Sequence, residues 1–256
     1  MAEPSIQTAV ILVAGLGSRL HGHNGGTPKG LLPLGESTLV ERSIHLLHTV
    51  GIRRIVLATG YQAYEYEKLA ARNPAISTVY NPDFADSGSM ASLYCARGLL
   101  AQMDPLGSFL LLDGDIVYER RAVELLAQDE RPAALLISGF TNNGDEYFVE
   151  AAHDFTFRRF SKERAALSNV VGEWVGITKI SAELWAAMRG SAEAYFQRSL
   201  HWGYEPCLQS VADRVSVPLL KIDDLLWSEI DDEAQLRRVR ELIWPQIRAK
   251  ETGQAE

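Results

Sequence analysis

The sequence predicts an α/β fold, a doubly wound, mostly parallel sheet with a small antiparallel β-rich insertion, and three observations carry that expectation. In the first half, short apolar runs alternate with segments of helical spacing: TAVILVA (8–14), RRIVLATG (53–60), STVYN (77–81) and SFLLLDGD (108–115) are the runs. Strand, helix, strand, helix calls for right-handed crossovers and parallel pairing, with helices on both faces. After about residue 130 the rhythm changes to AALLIS (133–138), EYFVEAA (146–152), FTFRRFS (155–161) and VGEWVGITKIS (171–181), with few helices between them. Such runs read as antiparallel strands and hairpins around the GD and HD turns. Finally, GLGSR, NPDFADSGS and DGD all fall where strands end, the edge at which open α/β sheets bind ligands.

Each element has a local reason. TAVILVA is a continuous apolar run ending in glycine, the pattern of a strand buried on both faces. Ser37 stands where it can cap the next helix, whose apolar positions Leu39, Val40, Ile44, Leu47 and Val50 keep helical spacing until Gly51 stops it. YQAYEYEKLAAR (61–72) and SMASLYCARGLLAQM (89–103) supply two more helices. Beyond the antiparallel runs come helices at roughly 181–201 and 205–213, the strand VSVPLLKI, the segment LLWSEIDD and a C-terminal helix from about 232 to 248. Without a Pro/Gly/Ser-rich linker or an internal repeat, residues 1–256 read as a single domain.

Composition narrows the function. A chain of 256 residues, 46% hydrophobic and 23% charged, is ordinary for a globular protein. Its net charge of −8 argues against nucleic acid as a partner, because a binder of that kind carries a basic face. Any anion must instead be held locally by a few cations, backbone N–H groups or a metal ion. Cys95 and Cys207 lie outside any CxxC or CxxH pattern and read as reduced, buried thiols. With no charged-then-apolar leader and no apolar run near the roughly 20 residues that span a bilayer, no membrane is expected and the cytoplasm is the expected location.

The first strand runs into VILVAGLGSRL (10–20), followed by TPKGLLPLG (27–35). A dinucleotide fold wants Gly or Ala where Leu20 stands, and a P-loop wants Gly-Lys-Ser/Thr where the chain has Ser18-Arg19-Leu20. What remains is a loop, Val13, Ala14, Gly15, Leu16, Gly17 and Ser18, whose glycines let backbone N–H groups approach phosphate. Arg19 and Lys29 are its charged partners, with Thr27-Pro28 restricting the backbone ahead of the lysine. Taken alone, the same residues also make a tight turn with two surface cations. His21 and His23 lack a third ligand and read as solvated loop residues.

VAGLGSRL followed by TPKGLLPLGESTLVER resembles the opening signature of the nucleotidyltransferase superfamily, with Gly15, Gly17, Arg19, Pro28 and Lys29 in place and Val13 replacing an alanine. The resemblance implies a Rossmann-like, nucleotide-diphospho-sugar transferase-like fold and an enzyme that moves a nucleotidyl group from a nucleoside triphosphate to a phosphorylated sugar or alcohol. It implies Arg19 and Lys29 as catalytic residues on the phosphates. LLLDGDIVYE (110–119) resembles the family's strand ending in Gly-Asp, which implies a magnesium ligand at Asp115 and places Asp113 beside the nucleotide. LWSEIDDEAQL (226–236) resembles its late segment, which implies a second ligand at Asp231. Mg²⁺ suits such a pair, because it takes one or two carboxylates and fills its shell with phosphate oxygens and water. On this basis 1–130 is the nucleotide-binding half, 131–231 the acceptor-binding half and 232–250 a closing helix.

NPDFADSGSMASLYCARGLL (81–100) resembles the cytidylyltransferases of the phosphocholine and 2-aminoethylphosphonate type. A pyrimidine slot needs short side chains and hydroxyl partners, which Gly88, Ser89 and Ser92 offer, and a helix cap at Ser87 or Ser89 is compatible with that use. SGFTNNGDEYFVE (138–150), RRFSKER (158–164) and GEWVGITKIS (172–181) are most similar to 2-aminoethylphosphonate enzymes, with phosphocholine enzymes close behind. In that setting Lys162 suits a phosphonate, and Asp145, Glu146 and Glu173 suit an ammonium group. Tyr147, Trp174, Trp202 and Tyr204 suit a cationic head, with core packing open as the other reading of any one ring. The expected partners are CTP and a small phosphonate or phospho-amino-alcohol, the cofactor is Mg²⁺, and a homodimer is allowed. Phosphocholine or phosphoethanolamine as acceptor, a sugar-1-phosphate nucleotidylyltransferase and an inactive nucleotide-binding regulatory protein stay open as alternatives.

Overall fold

The computed structural model describes residues 6–17, 20, 26–102, 107–141, 144 and 146–253. In the first half the elements are β1 (Ile6–Val13), β2 (Pro33–Leu34), β3 (Ser37–Thr38), α1 (Leu39–Thr49), β4 (Arg54–Thr59), α2 (Ala63–Ala70), β5 (Ile76–Tyr80), α3 (Ser89–Cys95), α4 (Arg97–Ala101), β6 (Ser108–Asp113), β7 (Ile116–Tyr118) and α5 (Arg121–Gln128). They continue with β8 (Ala134–Ser138), β9 (Phe148–Ala151), β10 (Phe157–Ser161), β11 (Val170–Ile180), α6 (Ala182–Phe196), α7 (Tyr204–Val211), β12 (Leu219–Ile222), β13 (Trp227–Glu229), α8 (Glu233–Arg238) and α9 (Trp244–Glu251).

One sheet organises them, in the order β10-β9-β11-β6-β1-β4-β5, with β8 on β11 and β12 on β8. The four strands β5, β4, β1 and β6 run parallel, and β11 turns the sheet antiparallel at β6. Side-chain alternation splits the core between the two faces. Ile11, Val13, Leu110 and Leu112 join one apolar cluster, while Val10, Phe109 and Leu111 join the other. A third cluster gathers Leu20, Leu32, Leu34, Val117, Ile230, Val239 and Ile247, which locks the early loop under the C-terminal helix. Leu20 is completely buried there, which is why this position needs bulk rather than the small residue of a dinucleotide loop.

Several elements differ from the sequence expectation for identifiable reasons. Ser37 sits in a short strand, and the cap of α1 is Thr38, whose hydroxyl accepts from Glu41 N (3.3 Å) while Glu41 Oε2 accepts from Thr38 N (2.9 Å). Only the residue with a glutamate three places on closes that reciprocal box. The expected helix over 89–103 breaks around Ala96 into α3 and α4, and Gly88 caps α3 without a side-chain hydrogen bond, so neither Ser87 nor Ser89 is the cap. The GD segment does not close a hairpin, because β8 and β9 each pair with β11 and not with one another. The HD turn does join β9 to β10, with Phe155 in the left-handed region at φ 62°. Cys207 is buried and its thiol is pushed up to about 12 by burial, whereas Cys95 is half-buried. No helix among the described residues is long and apolar enough to cross a membrane.

Candidate active site

Two carboxylates far apart in sequence meet because β7 and β13 pair antiparallel. Ile116 opposes Glu229 and Val117 opposes Ser228, and the ladder is extended by Ile230 N donating to Asp115 O at 2.9 Å. That contact sets Asp115 and Asp231 side by side just past the end of β6. Between them lies Lys29, on a short 3-10 turn (Lys29–Leu31) behind Pro28, whose extended backbone (φ −55°, ψ 143°) fixes the entry. Lys29 Nζ donates to Asp115 Oδ2 at 3.0 Å and also to Asp231 Oδ1. Burial alone lowers the lysine's proton affinity, but the two carboxylates outweigh it and hold the ammonium above its ordinary value.

The glycine loop lies against this triad. Gly17 has φ +62°, and a Cβ there would sit 3.1 Å from Lys29 Cγ, so glycine serves both the turn and the passage of the lysine stem. Gly114 is also required, because a Cβ would fall 2.5 Å from Leu12 O. A small cavity of about 70 Å³ is lined by Val13, Gly15, Gly17, Lys29, Tyr66 and Asp115 among others. Val13 and Ala14 are buried, while Gly15 and Leu16 are exposed at the loop tip. Ser18, Arg19 and Asp145, together with His21 and His23, lie outside the described residues.

Next to the triad opens a polar cavity of about 260 Å³, lined by Asp113, Asp115, Glu146, Tyr147, Lys162, Trp174, Glu205, Glu229 and Asp231 among others. Lys162 lines it, whereas the neighbouring Arg159 donates to the buried Glu150 (3.0 Å) and Arg158 also lies beside that carboxylate. Lys162 Nζ lies 5.2 Å from the centroid of the Tyr147 ring. Glu146 lines the cavity and accepts from Gly144 N (2.9 Å). Asp113 accepts from the Tyr204 hydroxyl at 3.0 Å. Burial, then Asp115 and Glu205, push the Asp113 carboxyl well above the usual carboxylate range, and burial does the same more mildly to Glu205.

Other expected site residues have different surroundings. Glu173 is buried and accepts from Thr141 N (2.8 Å) and Thr141 Oγ1 (2.6 Å), tying down the loop after β8, and is not among the cavity's lining residues. Trp174 and Tyr204 are only 5% and 1% exposed, and their rings pack against each other (5.4 Å) while Trp174 also meets Phe160 (5.1 Å). Trp174 therefore lines the cavity as a packed wall, and Tyr204 lies behind it outside the lining, so the two do not form an open cage. The Trp202 ring stacks on Tyr195 at 4.4 Å. Ser92 is buried and accepts from Asn81 Nδ2 (3.0 Å), which makes it part of the loop's frame. Gly88 is needed because a Cβ would land 2.3 Å from Trp202 O, and Ser89 Oγ links the start of α7, accepting from Tyr204 N (2.9 Å) and donating to Glu205 (3.3 Å).

Sequence reading missed Glu205, Glu229, Asn81 and Gly176. Glu229 stands inside the EIDD segment already singled out, and only the strand pairing shows that it faces the cavity while Asp232 takes the capping duty, accepting from Gln235 N at 2.8 Å. Gly176, in the middle of an apolar strand, carried a legible signal of close approach. It has φ +80°, and a Cβ would fall 2.8 Å from Asp113 Oδ2.

Among the described residues, no three His, Cys, Asp or Glu side chains are grouped to hold a metal by themselves. Asp115 and Asp231 offer two hard oxygens around one cation position. That incomplete donor set fits a divalent ion whose other positions go to phosphate oxygens and water.

The 2-aminoethylphosphonate cytidylyltransferase of Lancefieldella rimae is 31% identical over 43% of this chain and 43% of its own length. The CMP-5'-(3-aminopropyl)phosphonate synthase of Streptomyces rubellomurinus is 33% identical over 51% of this chain and 20% of its own. The chain thus spans less than half the length of these curated relatives. In fold, it is similar to the CTP:phosphocholine cytidylyltransferase of Streptococcus pneumoniae, with a TM-score of 0.77 at 20% identity, covering 93% of this chain and 98% of that one. The MobA-like NTP transferase domain matches residues 9–204, from the first strand through the glycine loop, Lys29 and the DGD turn to the start of α7, and the chain belongs to that family.

Proposed function

We propose that the chain is a Mg²⁺-dependent cytidylyltransferase of the cytoplasm that transfers CMP from CTP to 2-aminoethylphosphonate or a close aminoalkyl relative and releases pyrophosphate. One observation carries this reading: Lys29, Asp115 and Asp231 converge at the strand-end edge beside the glycine loop, next to a cavity that sets Lys162 among carboxylates. The names of the two curated relatives support an aminophosphonate acceptor.

In this mechanism the backbone of Val13 to Gly17 and the side chains of Arg19 and Lys29 take the triphosphate, and Gly88 and Ser89 border the pyrimidine. Lys162 orients the acceptor's phosphonate. One of its oxygens attacks the α-phosphorus as the bond from that phosphorus to the β-bridging oxygen breaks, and pyrophosphate carries away the electron pair. The phosphonate oxygen is already ionised, so no general base is required, and the chain contributes positioning and charge neutralisation. Asp115 and Asp231 would hold Mg²⁺, whose role when bound is to neutralise phosphate charge. Glu146, Glu205 and Glu229 face the acceptor's amine. Because the Trp174 ring is buried against Phe160 and Tyr204 and the Tyr147 ring already has Lys162 at 5.2 Å, the cavity favours a primary ammonium that donates to carboxylates over a quaternary one held by cation–π attraction.

A pyrophosphate-release panel tests this, pairing the four nucleoside triphosphates with 2-aminoethylphosphonate, phosphocholine, phosphoethanolamine and a sugar 1-phosphate. Release is expected from CTP with the aminophosphonate. Turnover with a sugar 1-phosphate instead replaces the acceptor, and no release from any pair leaves a nucleotide-binding protein without this activity.

A further inference from the structure

The two acids proposed to hold the metal each accept a hydrogen bond from Lys29, at Asp115 Oδ2 (3.0 Å) and at Asp231 Oδ1. The three side chains are 16%, 31% and 14% exposed, so bulk water screens the group poorly. A divalent ion bonds carboxylate oxygens at shorter range than an ammonium does. Two cations sharing the same two oxygens, in a half-buried site, repel strongly. Lysine and metal are therefore alternatives for one position. The lysine has room to leave: its stem runs along Gly17, at 3.1 Å from the position of a Cβ, and the cavity of about 70 Å³ lined by Gly15, Gly17, Lys29 and Tyr66 opens beside it. That side is the loop expected to hold the triphosphate.

We propose that Lys29 is the resident counter-ion of the metal site. Without nucleotide, its ammonium holds the two carboxylates together; when a triphosphate arrives, the ammonium exchanges onto phosphate and frees the oxygens for the divalent ion. Nucleotide and metal then bind cooperatively, and reciprocally, because each favours the state in which Lys29 has left the acids. This inference rests on the reading of Asp115 and Asp231 as metal ligands, and it adds an order to their occupancy: the free protein resists metal.

The test is Mn²⁺ binding to the full chain, followed by electron paramagnetic resonance without nucleotide, for the wild type, Lys29→Met, Lys29→Arg and Asp115→Asn. Lys29→Met is expected to bind Mn²⁺ about tenfold more tightly than wild type, within the range usual for coupled sites, and Lys29→Arg to stay weak. Thermal melts of the same proteins keep the result readable: Mn²⁺ is expected to raise the melting temperature of Lys29→Met more than that of the wild type. If Lys29→Met binds Mn²⁺ no better than wild type while Asp115→Asn loses it, the counter-ion role is overturned and the metal ligands stand. If Asp115→Asn binds Mn²⁺ as well as Lys29→Met does, the ligand reading is overturned and this inference goes with it.

Discussion

Two ionic clusters flank the same C-terminal segment, and they treat their carboxylates in opposite ways. On one side, below α9, the buried Glu119 accepts from Arg121 Nε (2.7 Å) with Lys250 Nζ 3.0 Å away, and Asp224 receives Arg121 (3.0 Å) and Lys250 (3.1 Å). Glu251 there takes Arg42 at 2.7 Å, whose guanidinium stands 5.0 Å from the Trp244 ring centroid. In this cluster the acids have cations to match, and hydrogen bonds from Lys250 and Arg121 hold Asp224 below the usual carboxylate range. On the other side, the cavity gathers Asp113, Asp115, Glu146, Glu205, Glu229 and Asp231 around Lys162, with Lys29 bridging two of them. There Asp113 and Glu205 are pushed up by burial. Among the described residues, acids matched by cations in one place and outnumbering them in another fit the proposal that a cation binds at the second.

The largest way to break this contrast is to remove the cation that bridges Asp115 and Asp231. Lys29→Ala is expected to lower kcat by about 10²–10³-fold, the scale of losing one transition-state charge partner, and to lower the melting temperature less than stripping a fully buried carboxylate does, because Asp115 and Asp231, 31% and 14% exposed, keep some water. Steady-state pyrophosphate release and a thermal melt on the same sample check both halves. Normal turnover would show that Lys29 has no part in the chemistry.

The balanced cluster should answer in the opposite currency. Arg121→Ala with Lys250→Ala leaves the buried Glu119 without either cation. Breaking a buried pair typically costs about 3–5 kcal/mol, and because Arg121 and Lys250 are 38% and 33% exposed, screening reduces this to about 2–3 kcal/mol. Urea unfolding is expected to show that loss while kcat/KM stays within about twofold. A large loss of activity at unchanged stability would dissolve the distinction between the clusters.

A smaller intrusion tests how finely the site is set. Gly176→Ala puts a Cβ at a left-handed backbone position, 2.8 Å from Asp113 Oδ2. The strain costs about 1–2 kcal/mol, and the displaced carboxylate is expected to raise KM for the acceptor more than it changes the apparent affinity for CTP. An equal or larger effect on CTP would return Asp113 to the nucleotide, the side on which the family resemblance places it.

How far the sequence could carry these conclusions depends on range. The strands and helices of the first half were legible because each apolar run is bounded by its own stop, as Gly51 stops α1. The α1 cap was misplaced by one residue because Ser37 and Thr38 are both good caps, and only Glu41 decides between them. Lys29, Asp115 and Asp231 were legible through a family pattern, but their mutual hydrogen bonds were not, since they depend on β7 pairing with β13 across more than a hundred residues. Residue type alone could not say which acids of the second half face the cavity. Glu173 and Glu205 look alike in sequence, yet Thr141 claims the first, while the start of α7 sets the second among the cavity's lining residues.

The gentlest probe of the contrast is the pH dependence of stability in Asp113→Asn. In the folded, ligand-free protein Asp113 holds its proton more tightly than in the unfolded chain, because burial and the charges of Asp115 and Glu205 oppose ionisation. Below the unfolded value near 4 both states are protonated and the residue is neutral in its effect. As pH rises above that value the unfolded chain ionises freely while the folded one resists, so stability is lost. Asparagine has no proton to lose and keeps the Tyr204 hydroxyl in reach of an acceptor oxygen. The difference in melting temperature, variant minus wild type, is therefore expected to start near zero at pH 4 and grow with pH, reaching on the order of 2–4 °C, the shift made by about 1 kcal/mol in a domain of this size. In the balanced cluster Asp224→Asn should show the reverse sign, since its lowered value contributes stability above the unfolded pKa and loses it as pH falls through the folded one. If both variants moved the same way with pH, the two clusters would not differ in charge balance at all.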